Sequence, residues 1–219
     1  MVLDIRFDYE RLNRIGFVEA IWGEHKNVEQ LKRISKEVLK KKELVFITRI
    51  NEEKAKCLLT LYPQGKFYGE ANCLIIGKNK NKFSTNKKVS IISGGTSDLA
   101  VTLEAQISLE VHGVSCKSFL DVGVAGIHRL FSQLEEINKY DVLIVCAGME
   151  GALPTVIGGL LPQPIIAVPV SVGYGISKNG EAALKSMLSS CSPGISVMNI
   201  DNGYGAAMAA LRIIKSISN

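Results

Sequence analysis

The residues best suited to chemistry lie in glycine-bearing segments in the second half of the chain. Five such segments follow short apolar runs: SGGTSD (93–98), DVGVAG (121–126), AGMEGALP (147–154), PVSVGYG (169–175) and DNGYG (201–205). If the runs are parallel strands, the segments meet beyond the carboxyl ends of one sheet, where open α/β proteins bind ligands. The sequence therefore predicts a single site to which all five segments contribute.

The SGGTSD segment has the composition of a phosphate-binding turn. Gly94 and Gly95 let the backbone approach an anion, Thr96 and Ser97 supply hydroxyls, and a helix opening at Asp98 directs its positive end the same way. The same residues also suit a simple helix cap in which Asp98 is the acceptor, and both interpretations stay open. Neither G-x-G-x-x-G nor a Walker A lysine occurs in the sequence, which disfavours a dehydrogenase and a P-loop ATPase.

Glu150 is the only acid in the apolar stretch 142–161 and is expected just past a strand end, at the opening of a helix. This placement makes it a candidate general base. The alternative is a first-turn acid that complements the helix dipole.

The second half alternates apolar runs with helical patterns, as a parallel sheet covered by helices on both faces does. The candidate strands are VSII, VSCKSFL, VLIVCA, PIIAVPV and ISVMNI. Helices are predicted over 98–112, 126–138, 151–161, 179–190 and 203–217. These elements are needed to bring the five segments to one edge.

The first half indicates a smaller βαβαβ unit. EAIW, ELVFITRI and FYGEANCLIIG are predicted strands, while VEQLKRISKEVLKKK and NEEKAKCLLTLYP are predicted helices, the second capped by its Asn. Charge changes near residue 88, because residues 1–88 carry 19 Lys and Arg against 11 Asp and Glu, and residues 89–219 carry 7 against 10. We therefore predict a basic domain over 1–88 and a second domain over 89–219.

Composition excludes several classes of protein. No apolar run is long enough to span a bilayer and the start resembles no secretory signal, so no membrane partner and a cytoplasmic location are expected. The basic residues lie mainly in a helical pattern and a loop-like KNKNKFSTNKK, without an RNA-binding signature, so no nucleic-acid partner is expected. The five scattered cysteines predict neither a disulfide framework nor a structural metal.

A series of motifs in 89–217 resembles the LarB family, the pyridinium carboxylase/hydrolases of nickel-pincer cofactor synthesis. The motifs are SGGTSDL, DVGVAGIHRL, CAGMEGALPTVIGGL, AVPVSVGYG, SSCSPG and NIDNGYGAA. RLNRIGFVEAIWGEHKNVEQL is similar to the family's opening motif, with Val18 where Pro is usual and HKN where GKT is usual. The C-terminal half also resembles PurE, the aminoimidazole ribonucleotide mutase of purine synthesis, which implies a flavodoxin-like fold preceded by a small α/β domain.

The resemblance implies a reaction on a dinucleotide. Nicotinic acid adenine dinucleotide would be carboxylated at ring C5, with carbon dioxide or bicarbonate as co-substrate, and its phosphoanhydride would be cleaved to release AMP. Cys191, in SSCSPG, matches the family's nucleophilic cysteine, and Glu150 would be the base or the partner of the pyridinium ring. The alternative for Cys191 is a buried small hydrophobe, as we interpret Cys146 and Cys73.

The resemblance also implies further contacts and partners. Ser97 and Asp98 would contact phosphate or ribose, while the remaining candidate binding residues are Asp121, His128, Tyr174 and Asp201. Tyr174 would stack on a ring, and Asp201 would hold a metal or position the hydrolytic water. The structural alternatives are a subunit interface for Asp121 and His128, a purely structural role for His128, a loop plug for Tyr174 and a turn for Asp201. Mg²⁺ is an expected cofactor of the cleavage step without identifiable ligands, and a homo-octamer is the expected assembly.

Two other functions stay open. The first is an aminoimidazole ribotide mutase or carboxylase, whose AGHAAHLPG-like segment carries a His that AGMEGALP lacks. The second is a nucleotide-binding module without catalysis.

Overall fold

The computed structural model describes residues 6–81 and 83–218, which form two compact units. The first unit spans Met1–Phe83 and the second spans Ser84–Asn219. Within the described residues, no helix is both long enough and apolar enough to cross a membrane.

The first unit is a mixed four-stranded sheet with helices. Its strands are β1 (Ala20–Trp22), β2 (Val45–Thr48), β3 (Lys66–Tyr68) and β4 (Cys73–Ile76), and its helices are α1 (Arg11–Ile15), α2 (Val28–Lys40) and α3 (Glu52–Leu61). The strand order is β1-β2-β4-β3, in which only β1 and β2 run parallel. Asn51 caps α3 as predicted, because its side chain accepts the N–H of Lys54 at 3.0 Å.

The prediction of one strand over FYGEANCLIIG was wrong. The segment forms the antiparallel hairpin of β3 and β4, closed by a turn in which the N–H of Ala71 bonds to the carbonyl of Tyr68. Asn72 holds a positive φ of 50° in this turn, a conformation that Asn tolerates better than most residues. The unit is therefore not a simple βαβαβ repeat.

The second unit has the flavodoxin-like α/β fold expected from the sequence. Its strands are β5 (Lys88–Ser93), β6 (Ser115–Phe119), β7 (Val142–Ala147), β8 (Ile165–Pro169) and β9 (Ile195–Val197). All pairs are parallel and the order is β6-β5-β7-β8-β9, the 2-1-3-4-5 arrangement of flavodoxin-like sheets. Every residue of the central strand β7 is buried, as its unbroken apolar run predicts.

Helices cover this sheet, and several are shorter than predicted. They are α4 (Leu99–Val111), α5 (Ile127–Phe131), α6 (Leu134–Ile137), α7 (Leu153–Gly158), α8 (Glu181–Leu188) and α9 (Gly203–Ile217). The single helix predicted over 126–138 is broken at Ser132–Gln133 into α5 and α6, and the helix predicted from residue 151 begins only at Leu153. Gly151 explains the late start of α7, because its φ of +66° is not helical.

Candidate active site

A pocket of about 220 Å³ opens beyond the carboxyl ends of β5, β6, β7 and β8. Its position is where the strand order reverses around β5, the switch point at which open α/β sheets bind ligands. The described lining residues are Gly94, Gly95, Ser97, Asp98, Gly123, Val124, Ala125, Arg129, Ala147, Gly148, Met149, Glu150, Ala152, Leu153 and Val172. Four of the five predicted segments thus meet here, and among the described residues DNGYG supplies no part of the wall.

The side chain of Asp98 connects two of these segments by hydrogen bonds. One carboxylate oxygen accepts the N–H of Gly95 at 2.9 Å, and the other accepts the N–H of Gly148 at 3.2 Å. Asp98 is only 4% exposed, and burial raises its pKa above the ordinary 3.8 although these backbone N–H groups act in the opposite direction. The hydrogen bond from Gly95 is the one that the capping interpretation expects of Asp98. Gly94, Gly95, Ser97 and Asp98 all line the pocket.

Two glycines are required by close approaches between the loops. A Cβ at Gly123 would lie 2.5 Å from the carbonyl oxygen of Gly94, and a Cβ at Gly148 would lie 2.5 Å from that of Val172. Gly95 differs, because its φ of −147° suits any residue and a Cβ there would meet no protein atom within 4 Å. Packing within the chain therefore requires glycine at Gly123 and Gly148, whereas at Gly95 a side chain would project into open space beside the pocket.

Glu150 lies on the pocket wall in the loop between β7 and α7. The loop is held by Met149, whose φ is +54° and whose N–H bonds to the carbonyl of Val172 at 3.0 Å. The first turn of α7 contains no acid, so the alternative in which Glu150 complements that helix from its first turn is wrong. The carboxylate is exposed on the pocket wall.

Arg129 is a pocket residue that the sequence analysis missed. It is the only cation among the described lining residues, and its guanidinium pairs with the carboxylate of Asp121 at 2.5 Å. The signal was present in DVGVAGIHR, where an arginine ends the segment that follows the second predicted strand. Arginine is well suited to bind a phosphate because its planar guanidinium offers paired donors.

Five predicted binding residues lie outside the pocket lining. Thr96, Asp121, His128 and Tyr174 are exposed, and Tyr174 is 75% exposed. Asp201 has a positive φ of 56°, and its carboxylate accepts the N–H of Ser171 at 2.7 Å, which ties the loop after β9 to the loop after β8. Asp121 is connected to the site only through its ion pair with Arg129, which lines the pocket.

Cys191 is exposed, but it does not line the pocket. It precedes β9, and its neighbour Ser190 exchanges a hydrogen bond with Thr155 at 2.7 Å. Cys73 and Cys146 are buried as predicted, and burial raises the pKa of the Cys146 and Cys116 thiols to about 12. Cys191 is therefore the exposed free thiol of the described part of the second unit.

The described residues do not fit a preformed metal centre. Among them, no three His, Cys, Asp or Glu side chains are grouped so that they could share an ion. The described residues therefore offer no preformed ligand set for the expected Mg²⁺, and we derive no step through it.

Comparisons with known proteins decide the family. A profile described as "LarB/PurE-like N-terminal domain" matches residues 3–78, and one described as "AIR carboxylase" matches residues 88–219. The chain belongs to the LarB family. Its two matched regions account for both structural units, which confirms the family resemblance drawn from the motifs.

Relatives of this LarB family member include proteins with and without an assigned activity. An uncharacterised protein of Methanocaldococcus jannaschii is 41% identical over 221 residues, covering 96% of this chain and 84% of that protein. The N5-carboxyaminoimidazole ribonucleotide mutase of the same organism is 38% identical over 133 residues, 58% of this chain and 78% of its own length. The corresponding mutase of Pyrococcus horikoshii is 34% identical over 134 residues, 58% of this chain and 71% of its own length. The LarB family member is thus related to carboxylases and mutases.

Proposed function

We propose that this protein carboxylates the pyridinium ring of nicotinic acid adenine dinucleotide at C5 and cleaves the phosphoanhydride, releasing AMP. The observation that carries the proposal is Glu150 on the wall of the switch-point pocket. A carboxylate there complements a cationic pyridinium ring and can act as a base. No His lies among the described lining residues, so the imidazole that the aminoimidazole mutases use has no counterpart in this pocket.

The proposed chemistry begins with the thiolate of Cys191, which does not line the pocket of its own chain and enters it, in this proposal, from a neighbouring copy of the homo-octamer that the family resemblance implies. Its sulfur adds to ring C4, and the electron pair of the ring bond moves to the ring nitrogen, giving a dihydropyridine whose C5 is enamine-like. C5 then forms a carbon–carbon bond to carbon dioxide. Glu150 takes the proton from C5, the C4–S bond breaks, and the ring is aromatic again with the thiolate released. The net change at C5 is the replacement of a proton by a carboxylate.

The glycine loops and Arg129 have the chemistry to bind the phosphates. Gly94, Gly95 and Ser97 stand at the start of the turn that leads into α4, where N–H groups and the helix dipole favour an anion. Arg129 faces the same pocket and supplies a positive charge. In the cleavage step water adds to one phosphorus of the anhydride and the bridging P–O bond breaks. After loss of the water's proton, the two halves separate as AMP and the pyridinium mononucleotide.

The test is an assay of the full chain with nicotinic acid adenine dinucleotide and ¹³C-bicarbonate, with and without Mg²⁺. Mass spectrometry would follow AMP and a mononucleotide that carries the added labelled carboxylate. We expect both products from the wild type, and loss of the carboxylated product from Cys191→Ala. Cys57→Ala, which removes the exposed thiol of the first unit, is the matched control and should retain full activity.

The second candidate is an aminoimidazole ribotide mutase, favoured by the identity of 38% to such an enzyme. This reaction would use the same pocket for an imidazole ring in place of the pyridinium ring. Consumption of a carboxyaminoimidazole ribotide by the wild type, with no turnover of the dinucleotide, would overturn our proposal in favour of this one.

A further inference from the structure

Glu104 is a buried acid on α4 to which the proposed reaction assigns no role. Its carboxylate accepts the N–H of Tyr204, in the first turn of α9, at 3.1 Å, although the two residues are 100 apart along the chain. A Cβ at Gly203 would lie 2.3 Å from the carbonyl oxygen of Val101, so the start of α9 packs closely on the backbone of α4. A carboxylate at a helix N-terminus is stabilised by the free N–H groups and the positive end of the helix dipole. Glu104 therefore fixes the start of α9 against α4.

The loop just before α9 is bonded in turn to the segment that follows β8. Asp201 donates its N–H to the carbonyl of Pro169 at 2.9 Å, and its carboxylate accepts the N–H of Ser171 at 2.7 Å. Its φ of 56° is one that Asp tolerates better than most residues other than glycine. Asp201 thus sets the position of the segment after β8 relative to the start of α9.

The segment after β8 supports the loop that carries Glu150. The carbonyl of Val172 accepts the N–H of Met149 at 3.0 Å, and a Cβ at Gly148 would lie 2.5 Å from the same carbonyl oxygen. Among the residues that the structure describes, no hydrogen bond or ion pair restrains the exposed carboxylate of Glu150 itself. The position of this carboxylate therefore depends on how the backbone of its loop is held.

We infer that Asp201 and Glu104 are positioning residues, which hold the Glu150 loop where its carboxylate can reach the ring proton and do not touch the substrate themselves. The role of Glu150 in this inference rests on the proposed function. Asp98, which immediately precedes α4, holds one side of the loop directly. Asp201 and Glu104 hold its other side and lead back to the same helix. This double support matters for the rate, because misplacing a reacting group by about 1 Å can cost about 10²-fold.

Steady-state kinetics of two variants of Asp201 tests the inference. Asp201→Gly removes the carboxylate and suits the positive φ, while Asp201→Asn keeps an oxygen that can accept the N–H of Ser171. We expect Asp201→Gly to lower kcat for carboxylation about 10- to 100-fold with little change in KM, and Asp201→Asn to keep most of the wild-type kcat. An unchanged kcat in Asp201→Gly would overturn the inference. A loss of kcat in Asp201→Asn would also overturn it, because the charge of Asp201 would then act on a ligand, and this variant decides alone if Asp201→Gly does not fold.

A double variant tests whether Glu104 acts through Asp201. Glu104→Gln replaces a charged acceptor with a neutral one, which weakens the hydrogen bond from Tyr204, and it should lower kcat by a smaller factor than Asp201→Gly does. In the Asp201→Gly background the same change should have little further effect, because the route to the Glu150 loop is already broken. Losses that multiply in the double variant would overturn the placement of the two residues on one route.

Hydrogen exchange of the ligand-free full chain tests the same contacts without turnover. In Asp201→Gly, exchange should become faster in the peptide that contains Met149, whose N–H is bonded to Val172. Asp141→Gly is the matched control, because it also removes a carboxylate that accepts a backbone N–H, that of Lys88 at 2.8 Å, but before β7, at the amino edge of the sheet. Unchanged exchange in Asp201→Gly, or equal acceleration in both variants, would overturn the inference. Acceleration in Asp201→Gly alone, in a protein that does not turn over the dinucleotide, would support the positioning route while removing the proposed reaction.

Discussion

The carboxylate of Asp98 accepts the N–H of Gly148 at 3.2 Å, although fifty residues separate them along the chain. The same carboxylate accepts the N–H of Gly95. One buried side chain therefore sets the distance between the loop that follows β5 and the loop that carries Glu150. A change at Asp98, which also lines the pocket, should therefore alter the spacing of these two loops.

Asp98→Asn should destabilise the fold by about 1–3 kcal/mol, because the amide of Asn can accept only through one atom and turns its NH₂ group toward the second N–H. The pH dependence gives a second readout. Burial raises the pKa of Asp98 in the folded protein above its ordinary 3.8. The stability that this shift contributes is therefore fully present below pH 3.8 and is lost as the pH rises through the folded-state pKa. The difference in unfolding free energy between wild type and variant should therefore shrink as the pH rises from 3.8 to the folded-state pKa of Asp98, and stay constant above that pKa. Urea unfolding at several pH values measures it, and a difference that grows with pH would contradict this account.

Gly95→Ala and Gly123→Ala form a matched pair. The methyl group at Gly95 meets no protein atom within 4 Å, so the unfolding midpoint should stay within error of wild type. The methyl group at Gly123 would press on the carbonyl of Gly94 and should cost about 1–3 kcal/mol. If a phosphate approaches the backbone at Gly95, the first variant should still lose dinucleotide affinity, as isothermal titration would show. Unchanged affinity in a stable Gly95→Ala protein would place the phosphate elsewhere.

Glu150→Gln should lower kcat for carboxylation by about 10²–10⁴-fold, the usual contribution of a general base. KM should change much less, because the amide keeps the size and most contacts of the side chain. Glu181→Gln, on the exposed face of α8, is the matched control and should retain kcat. Steady-state kinetics decides the question, and an equal loss in both variants would show that Glu150 is not the base.

Arg129→Gln should weaken dinucleotide binding about 10- to 100-fold, which is the loss expected for a hydrogen bond to a charged group. The effect should diminish for a ligand without phosphates, since the guanidinium is expected to recognise the anion. Lys185→Gln, an exposed cation paired with Glu181 on α8, is the control. Binding by titration calorimetry measures both, and equal weakening of nicotinic acid itself would contradict a phosphate role.

The sequence by itself determined the architecture of the second unit and the place of its site. The burial of β7 and the glycine-bearing loops after four strands could be predicted, because side-chain burial and turn chemistry depend on local residue types. The hairpin of β3 and β4 could not be predicted in the same way. A strand and a hairpin share the same apolar composition, and here β4 pairs with both β2 and β3.

Only the tertiary structure decided which candidate residues meet. Asp98 joins two loops through backbone N–H groups, Arg129 faces the pocket from α5, and Asp201 instead holds Ser171 outside it. Cys191 and Glu150 lie at opposite sheet edges because parallel strands share one direction, so a residue before a strand and a residue after a strand are separated by its whole length. The distance between the two residues cannot be predicted from their spacing along the chain, because it is set by how the strands align in the sheet.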